Sequence, residues 1–223
     1  MLYDVIRKVL GAVFHVVWRP VIEGREHVPA SGPVIIASNH LSFIDSIVIP
    51  LAVPTRRVTF LAKNEYFTDR SLAGLPRRVF LRTMGAVPVQ RDEQRHAQAA
   101  LNTALEVLQK GWAFGIYPEG TRSRDGLLYR GRTGIGWLAL AAEAPVVPVG
   151  LTGTDQVQPV GARVPRVHRV RIRFGPPVMP GDYAGISAPA QARRRLTDDV
   201  MDAVAALSGQ ERAPGYNERR EEP

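Results

Sequence analysis

The chain contains no cysteine. That excludes disulfides, thiolate zinc sites and any covalent intermediate on a cysteine sulfur, and it suits a reducing compartment. Lysine is almost missing too: it stands only at Lys8, Lys63 and Lys110, so arginine carries nearly all the positive charge. No apolar run reaches the roughly 18 to 20 residues that cross a bilayer. No small-residue cleavage site follows the N-terminal apolar stretch, so a secretory signal is not expected. There is no Gly-x-Ser-x-Gly elbow for a serine nucleophile. His15, His27, His40, His96 and His168 fall at no metal-ligand spacing, so no metal site is expected. The glycines from Gly131 to Gly136 fit neither a dinucleotide fingerprint nor a P-loop. No zinc finger, RNA-binding signature or internal repeat is present, and nucleic acid is not an expected partner.

What is present supports one domain. The 223 residues are 45% hydrophobic, enough for a full core. Net charge is +8, which favours anionic partners such as lipid headgroups or phosphorylated small molecules. Arginine suits bidentate phosphate contacts. A GC-rich genome, suggested by the abundance of Ala and Pro, accounts for most of the arginines without any role.

Apolar periodicity then gives the layout. Residues 1–19 predict an amphipathic helix, with Val5, Ile6, Val9, Leu10, Val13 and Phe14 at three-and-four spacing and Trp18 near its end. Two uses stay open: lying in a membrane interface, or packing on the domain's own core. Strands are expected over 21–28, 34–37, 58–62, 112–117, 145–151 and 167–174, with a short edge piece at 85–91 around Pro88. Helices are expected over 43–51, 72–84, 93–110, 133–142 and 187–207. Strands alternating with helices predict an α/β fold: a single domain, 20–207, with a mixed, largely parallel central sheet flanked by helices. The tail, 208–223, is polar and charged and predicts disorder.

Three strand exits carry polar groups, and ligands bind at such exits in open α/β sheets. The first bears Asn39, His40 and Asp45, the second Arg91, the third Glu119 and Arg122. Five residues in a continuous helix advance about 500°, roughly 140° off a shared face. His40 is therefore expected before the helix or at its cap, with Asp45 in the first turn. A histidine beside a carboxylate is either a loop histidine with a hydrogen bond or a general base, and on spacing alone the first is the commoner. Arginines at neighbouring strand exits favour the second and point to a phosphorylated substrate.

Four blocks make this specific: Asn39-His40-x-x-x-x-Asp45, Gly85 to Arg91, Tyr117-Pro118-Glu119-Gly120-Thr121-Arg122-Ser123, and Val147-Pro148-Val149. In order and spacing they resemble the 1-acylglycerol-3-phosphate (lysophosphatidate) acyltransferases, a family of glycerolipid acyltransferases, over residues 21–154.

The resemblance implies an enzyme of phospholipid biosynthesis. It would move a fatty acyl group from acyl-CoA or acyl carrier protein to the free hydroxyl of 1-acylglycerol 3-phosphate, with no cofactor. His40 would be the base and Asp45 its orienting partner. Arg91, Glu119, Gly120, Thr121 and Arg122 would bind the acceptor, with Glu119 either orienting its hydroxyl or pairing with an arginine. Asn39, Lys63, Arg130 and Arg132 would support them. Ser42 as a nucleophile is an alternative with little to motivate it. The resemblance further implies peripheral attachment to the cytoplasmic face of the plasma membrane, with membrane lipids as partners. Other lysophospholipid or glycolipid acceptors, or a non-catalytic lipid-binding role, are the alternatives; oligomeric state is left open.

The sequence departs from the family in two places. Pro88, Val89 and Gln90 stand where a bulky apolar residue commonly precedes the arginine. Arg130 and Arg132 replace a lysine-rich patch.

Overall fold

A computed structural model of the protein describes residues 2–53, 55–63, 68, 87–89, 94–162 and 164–218. Its centre is β2 (Val34–Ser38), every residue of which is buried. Strand side chains alternate, and both faces of this strand need cover. Val34 and Ile36 enter one apolar core, while Ile35 and Ala37 enter the other. The flanking helices complete three layers.

The other strands are β1 (Val21–Glu23), β3 (Val58–Lys63), β4 (Val87–Val89), β5 (Ala113–Ile116), β6 (Val146–Thr152) and β7 (Arg171–Phe174). They lie in the order β1-β7-β6-β2-β5-β3-β4. All described pairings are parallel except β6 with β7. The expected mixed, largely parallel α/β sheet is what forms. β4, with Pro88, pairs only with β3 among the described residues, as its missing N–H requires of an edge strand.

On one face lie α1 (Leu2–Trp18) and α2 (Asp45–Ala52), meeting the first core through Phe14, Val48 and Ile49. On the other lie α3 (Gln94–Gln109), α4 (Gly134–Ala142) and α6 (Pro189–Ser208). A one-turn helix, α5 (Thr154–Val157), follows β6. Helix α6 crosses close to the backbone at two glycines. An added Cβ at Gly136 would lie 2.2 Å from Arg193 O, and one at Gly150 would lie 2.4 Å from Leu207 C.

Several expectations need correction. The strand expected over 21–28 stops at Glu23, because Gly24 turns with φ +73° where a Cβ would meet Phe174 O. A 3-10 turn, Arg25–His27, follows. The helix expected from 43 starts at Asp45. The helix expected over 72–84 lies outside the described residues. The tail expected to be disordered is ordered over 209–218, because its backbone finds partners: Leu128 N–H donates to Glu211 O, Ala213 N–H to Leu128 O, and Arg130 N–H to Gly215 O.

Candidate active site

Register places the site. Ala37 of β2 pairs with Ile116 of β5, so both chains leave the sheet side by side, at its centre. His40 follows one strand and Tyr117 the other.

His40 Nδ1 lies 2.8 Å from Asp45 Oδ2. Asp45 is the first residue of α2, as the spacing predicts, and a carboxylate is favoured at a helix N-terminus. The same oxygen also accepts the Leu41 and Ser42 N–H groups, at 2.7 and 2.8 Å. The loop thus folds around one carboxylate oxygen, and Asp45 is fully buried. Assigned from this partner, the tautomer carries its proton on Nδ1, and Nε2 is the basic nitrogen. The imidazole keeps 14% of its surface exposed, enough for a substrate to reach.

A stack of rings fixes the imidazole from the side. Tyr117 lies parallel to His40, with centroids 3.8 Å apart and planes 8° from parallel. Phe60 of β3 stacks in turn on Tyr117, at 5.4 Å. Gly115 makes room for this: a Cβ there would sit 2.2 Å from the Phe60 ring. The Tyr117 hydroxyl is 2.8 Å from that of Ser46 on α2.

Residues 117–132 loop past this pair and are tied to it by the backbone. Ser123 N–H donates to His40 O, at 2.8 Å, and Arg132 N–H donates to Pro118 O, at 2.8 Å. Glu119 completes the tie. It is fully buried, and its two oxygens accept the His40 and Tyr129 N–H groups, each at 3.0 Å. Burial pushes its carboxyl up to about 7, the two amide bonds pull against that shift, and the charges of Asp45 and Asp125 add to it. Glu119, expected at the acceptor site, thus makes its described hydrogen bonds to backbone amides. Those amides belong to residues 40 and 129, so the carboxyl ties the His40 turn to the loop.

Gly120 turns with φ +82° where a Cβ would lie 2.9 Å from Arg132 Nε, so the glycine leaves the space that Arg132 occupies. Thr121 and Arg122 are half-buried at the same turn, and Arg130 and Arg132 are exposed. The Asp125 carboxyl is held below its ordinary value mainly by the Tyr129 hydroxyl, which donates to it at 2.7 Å.

Asn39 also gains a purpose. Its side chain is fully buried and pairs with the backbone of β6, accepting from Leu151 N–H at 2.8 Å and donating to Leu151 O at 2.9 Å. It locks the exit of β2 to its neighbour. Ser42 is buried, and its hydroxyl donates to Gln158 O at 2.7 Å. Lys63 ends β3, two strands from β2, and its side chain lies outside the described residues. Arg91 is also outside them.

Residues 19–152 match the Acyltransferase family model. The chain belongs to the Acyltransferase family. Among similar proteins, the chloroplastic 1-acyl-sn-glycerol-3-phosphate acyltransferase LPAT1 of Arabidopsis thaliana is 33% identical over 63% of this chain and 38% of its own length. The chain thus spans well under half of that plant relative. The 1-acyl-sn-glycerol-3-phosphate acyltransferase of Bacillus subtilis is 27% identical over 81% of this chain and 83% of its own. The crystal structure of the 1-acyl-sn-glycerophosphate (LPA) acyltransferase PlsC from Thermotoga maritima shares the fold. Its TM-score is 0.65 at 26% identity, covering 90% of this chain and 80% of that one.

Within this acyltransferase domain, sequence reasoning missed three contributors. Tyr117 stands in the third sequence block, but its stacking on His40 depends on the fold. Phe60 is a core aromatic in sequence and becomes a wall of the site only through Gly115. Gln210 accepts a hydrogen bond from Asn39 Nδ2 at 2.6 Å, from a stretch whose polar composition predicts disorder.

Proposed function

We propose that this chain moves a fatty acyl group from a thioester donor, acyl-CoA or acyl carrier protein, to the sn-2 hydroxyl of 1-acylglycerol 3-phosphate, yielding phosphatidic acid. The observation that carries this reading is the His40–Asp45 pair, 2.8 Å apart at a strand exit, bonded through its own backbone to the arginine-bearing loop. The hydroxyl oxygen attacks the thioester carbonyl while Nε2 of His40 takes the hydroxyl proton. Asp45 holds the tautomer and stabilises the imidazolium. The tetrahedral adduct then collapses, the carbon–sulfur bond breaks, and the proton passes to the departing thiolate as free thiol. Arg122, Arg130 and Arg132 supply positive charge for the acceptor phosphate, and Arg91 and Lys63 are proposed to join them. The names of the bacterial relative and the solved neighbour support this choice of acceptor.

Purified protein given acyl-CoA and 1-acylglycerol 3-phosphate is expected to release free CoA and form phosphatidic acid, read by thiol titration and lipid mass spectrometry. No release with any lysophospholipid acceptor would refute the activity. Arg122→Ala is expected to lower kcat/KM roughly ten- to hundredfold, chiefly through the acceptor KM, as loss of a charge-assisted hydrogen bond implies. Unchanged acceptor kinetics would remove Arg122 from the phosphate site.

The same reading places the protein on a membrane surface, at the cytoplasmic face. Helix α1 packs on the core through Phe14 and leaves Val9, Val13 and Val16 58%, 43% and 73% exposed, an apolar face that supports seating in a membrane interface. Among the described residues, no helix is long and apolar enough to cross a membrane. The Trp18 indole donates to Arg166 O at 2.9 Å, joining α1 to a loop where Val164 and Val167 are 74% and 77% exposed. Serine at Val9, Val13 and Val16 is expected to cut sedimentation with phosphatidylglycerol-containing vesicles about tenfold or more, from the apolar area lost. Undiminished sedimentation would put the attachment elsewhere.

A further inference from the structure

We propose that residues 209–218 form a strap that positions the acceptor-phosphate arginines, acting through Tyr216 and Asn217; this rests on the phosphate site proposed above.

The strap begins where α6 ends. Gly209 turns with φ +72° and sends the chain back across the site loop. Gln210 fastens it at one end, accepting from Asn39 and donating to Gly126 O at 2.7 Å. The backbone bonds of Glu211, Ala213 and Gly215 carry it along residues 128–130. It then meets three arginines. The Tyr216 ring faces two guanidinium groups at once, with Arg130 at 5.4 Å and Arg132 at 5.6 Å from its centroid. Asn217 is buried and joins two arginines: its carbonyl accepts from Arg132 Nη2 at 3.2 Å, and its side-chain amide donates to Arg122 O at 3.1 Å.

Such contacts do more than close the surface. Neighbouring guanidinium groups repel each other, and each long side chain loses rotamer freedom when it grips a phosphate. A π face shared by Arg130 and Arg132 offsets the repulsion. Holding Arg132 and the Arg122 backbone in place before the acceptor arrives removes part of the ordering cost from binding. Tyr216 and Asn217 are therefore positioning residues. Their loss should appear in acceptor affinity and leave the donor side alone.

The test uses the full chain, with 1-acylglycerol 3-phosphate as the varied substrate. Tyr216→Leu, which keeps apolar bulk without the π face, and Asn217→Ala are each expected to raise the acceptor KM about three- to tenfold. The KM for acyl-CoA should stay where it was. Tyr216→Phe keeps the ring and loses only the hydroxyl's contact with Arg194, at 3.3 Å, so it should restore the acceptor KM. A cycle of Tyr216→Leu with Arg132→Ala should be non-additive. The proposal is overturned if Tyr216→Leu and Asn217→Ala leave the acceptor KM unchanged, if Tyr216→Phe is as impaired as Tyr216→Leu, or if only melting temperature falls. Arg122→Ala and Arg132→Ala separate the two levels. If neither raises the acceptor KM, the phosphate site itself falls and takes the strap's role with it. If they raise it while the strap variants do not, the strap alone is refuted.

Discussion

Alanine at His40 is expected to lower kcat/KM for acyl transfer by roughly 10²–10⁴-fold, the usual contribution of a positioned base. The fold should survive, because the imidazole is partly exposed and the loop's two bonds to residue 40 use its backbone N–H and C=O. Circular dichroism and melting temperature near those of the parent would locate the loss in proton transfer. The acceptor KM should move little, since no phosphate contact is removed. A variant that keeps its turnover would show that another group takes the hydroxyl proton.

Glu119→Gln is expected to act on both stability and rate. Both carboxylate oxygens accept backbone N–H groups, and an amide can replace only one of them. A buried N–H without a partner costs about 1 to 3 kcal/mol. If the loss falls on the His40 N–H, the base shifts, and a displacement of about 1 Å can cost roughly 10²-fold in rate. The variant should also change the pH dependence of stability. The folded carboxyl stands at about 7, above its ordinary value of 4.5. Between those values the folded protein keeps a proton that the unfolded chain releases. This contribution is complete at the acid end and is lost as pH rises through 7, by up to about 3 kcal/mol. Urea unfolding from pH 5 to 8 should show the parent losing stability relative to Glu119→Gln. A constant difference would mean that the two amides keep Glu119 ionised throughout.

Most of the sheet was legible because strand periodicity and strand exits are local signals. The run 34–37 announces a doubly buried strand, and the five-residue step from His40 to Asp45 already forbids a shared helical face. The role of Glu119 was not legible. A carboxylate beside arginines suggests a ligand, and only the fold shows that its oxygens face the amides of residues 40 and 129. The strap was less legible still. Residues 209–218 carry no apolar periodicity, and their order comes from backbone bonds to residues 128–130, which no composition encodes. Tyr117 lay in between: its place was marked, but stacking on His40 depends on Gly115 leaving room for Phe60.

The lock at Asn39 has a consequence for how this protein comes into being. Its side chain binds Leu151, 112 residues away, and Gln210, 171 residues away, while His40 is held by Glu119 at a separation of 79. Contacts this distant in sequence must overcome a large loop-closure entropy and form late in folding. A chain emerging from the ribosome therefore carries its histidine long before that histidine is held. Recovery of turnover after dilution from denaturant should lag behind recovery of helix signal, which makes activity a reporter of the final closure.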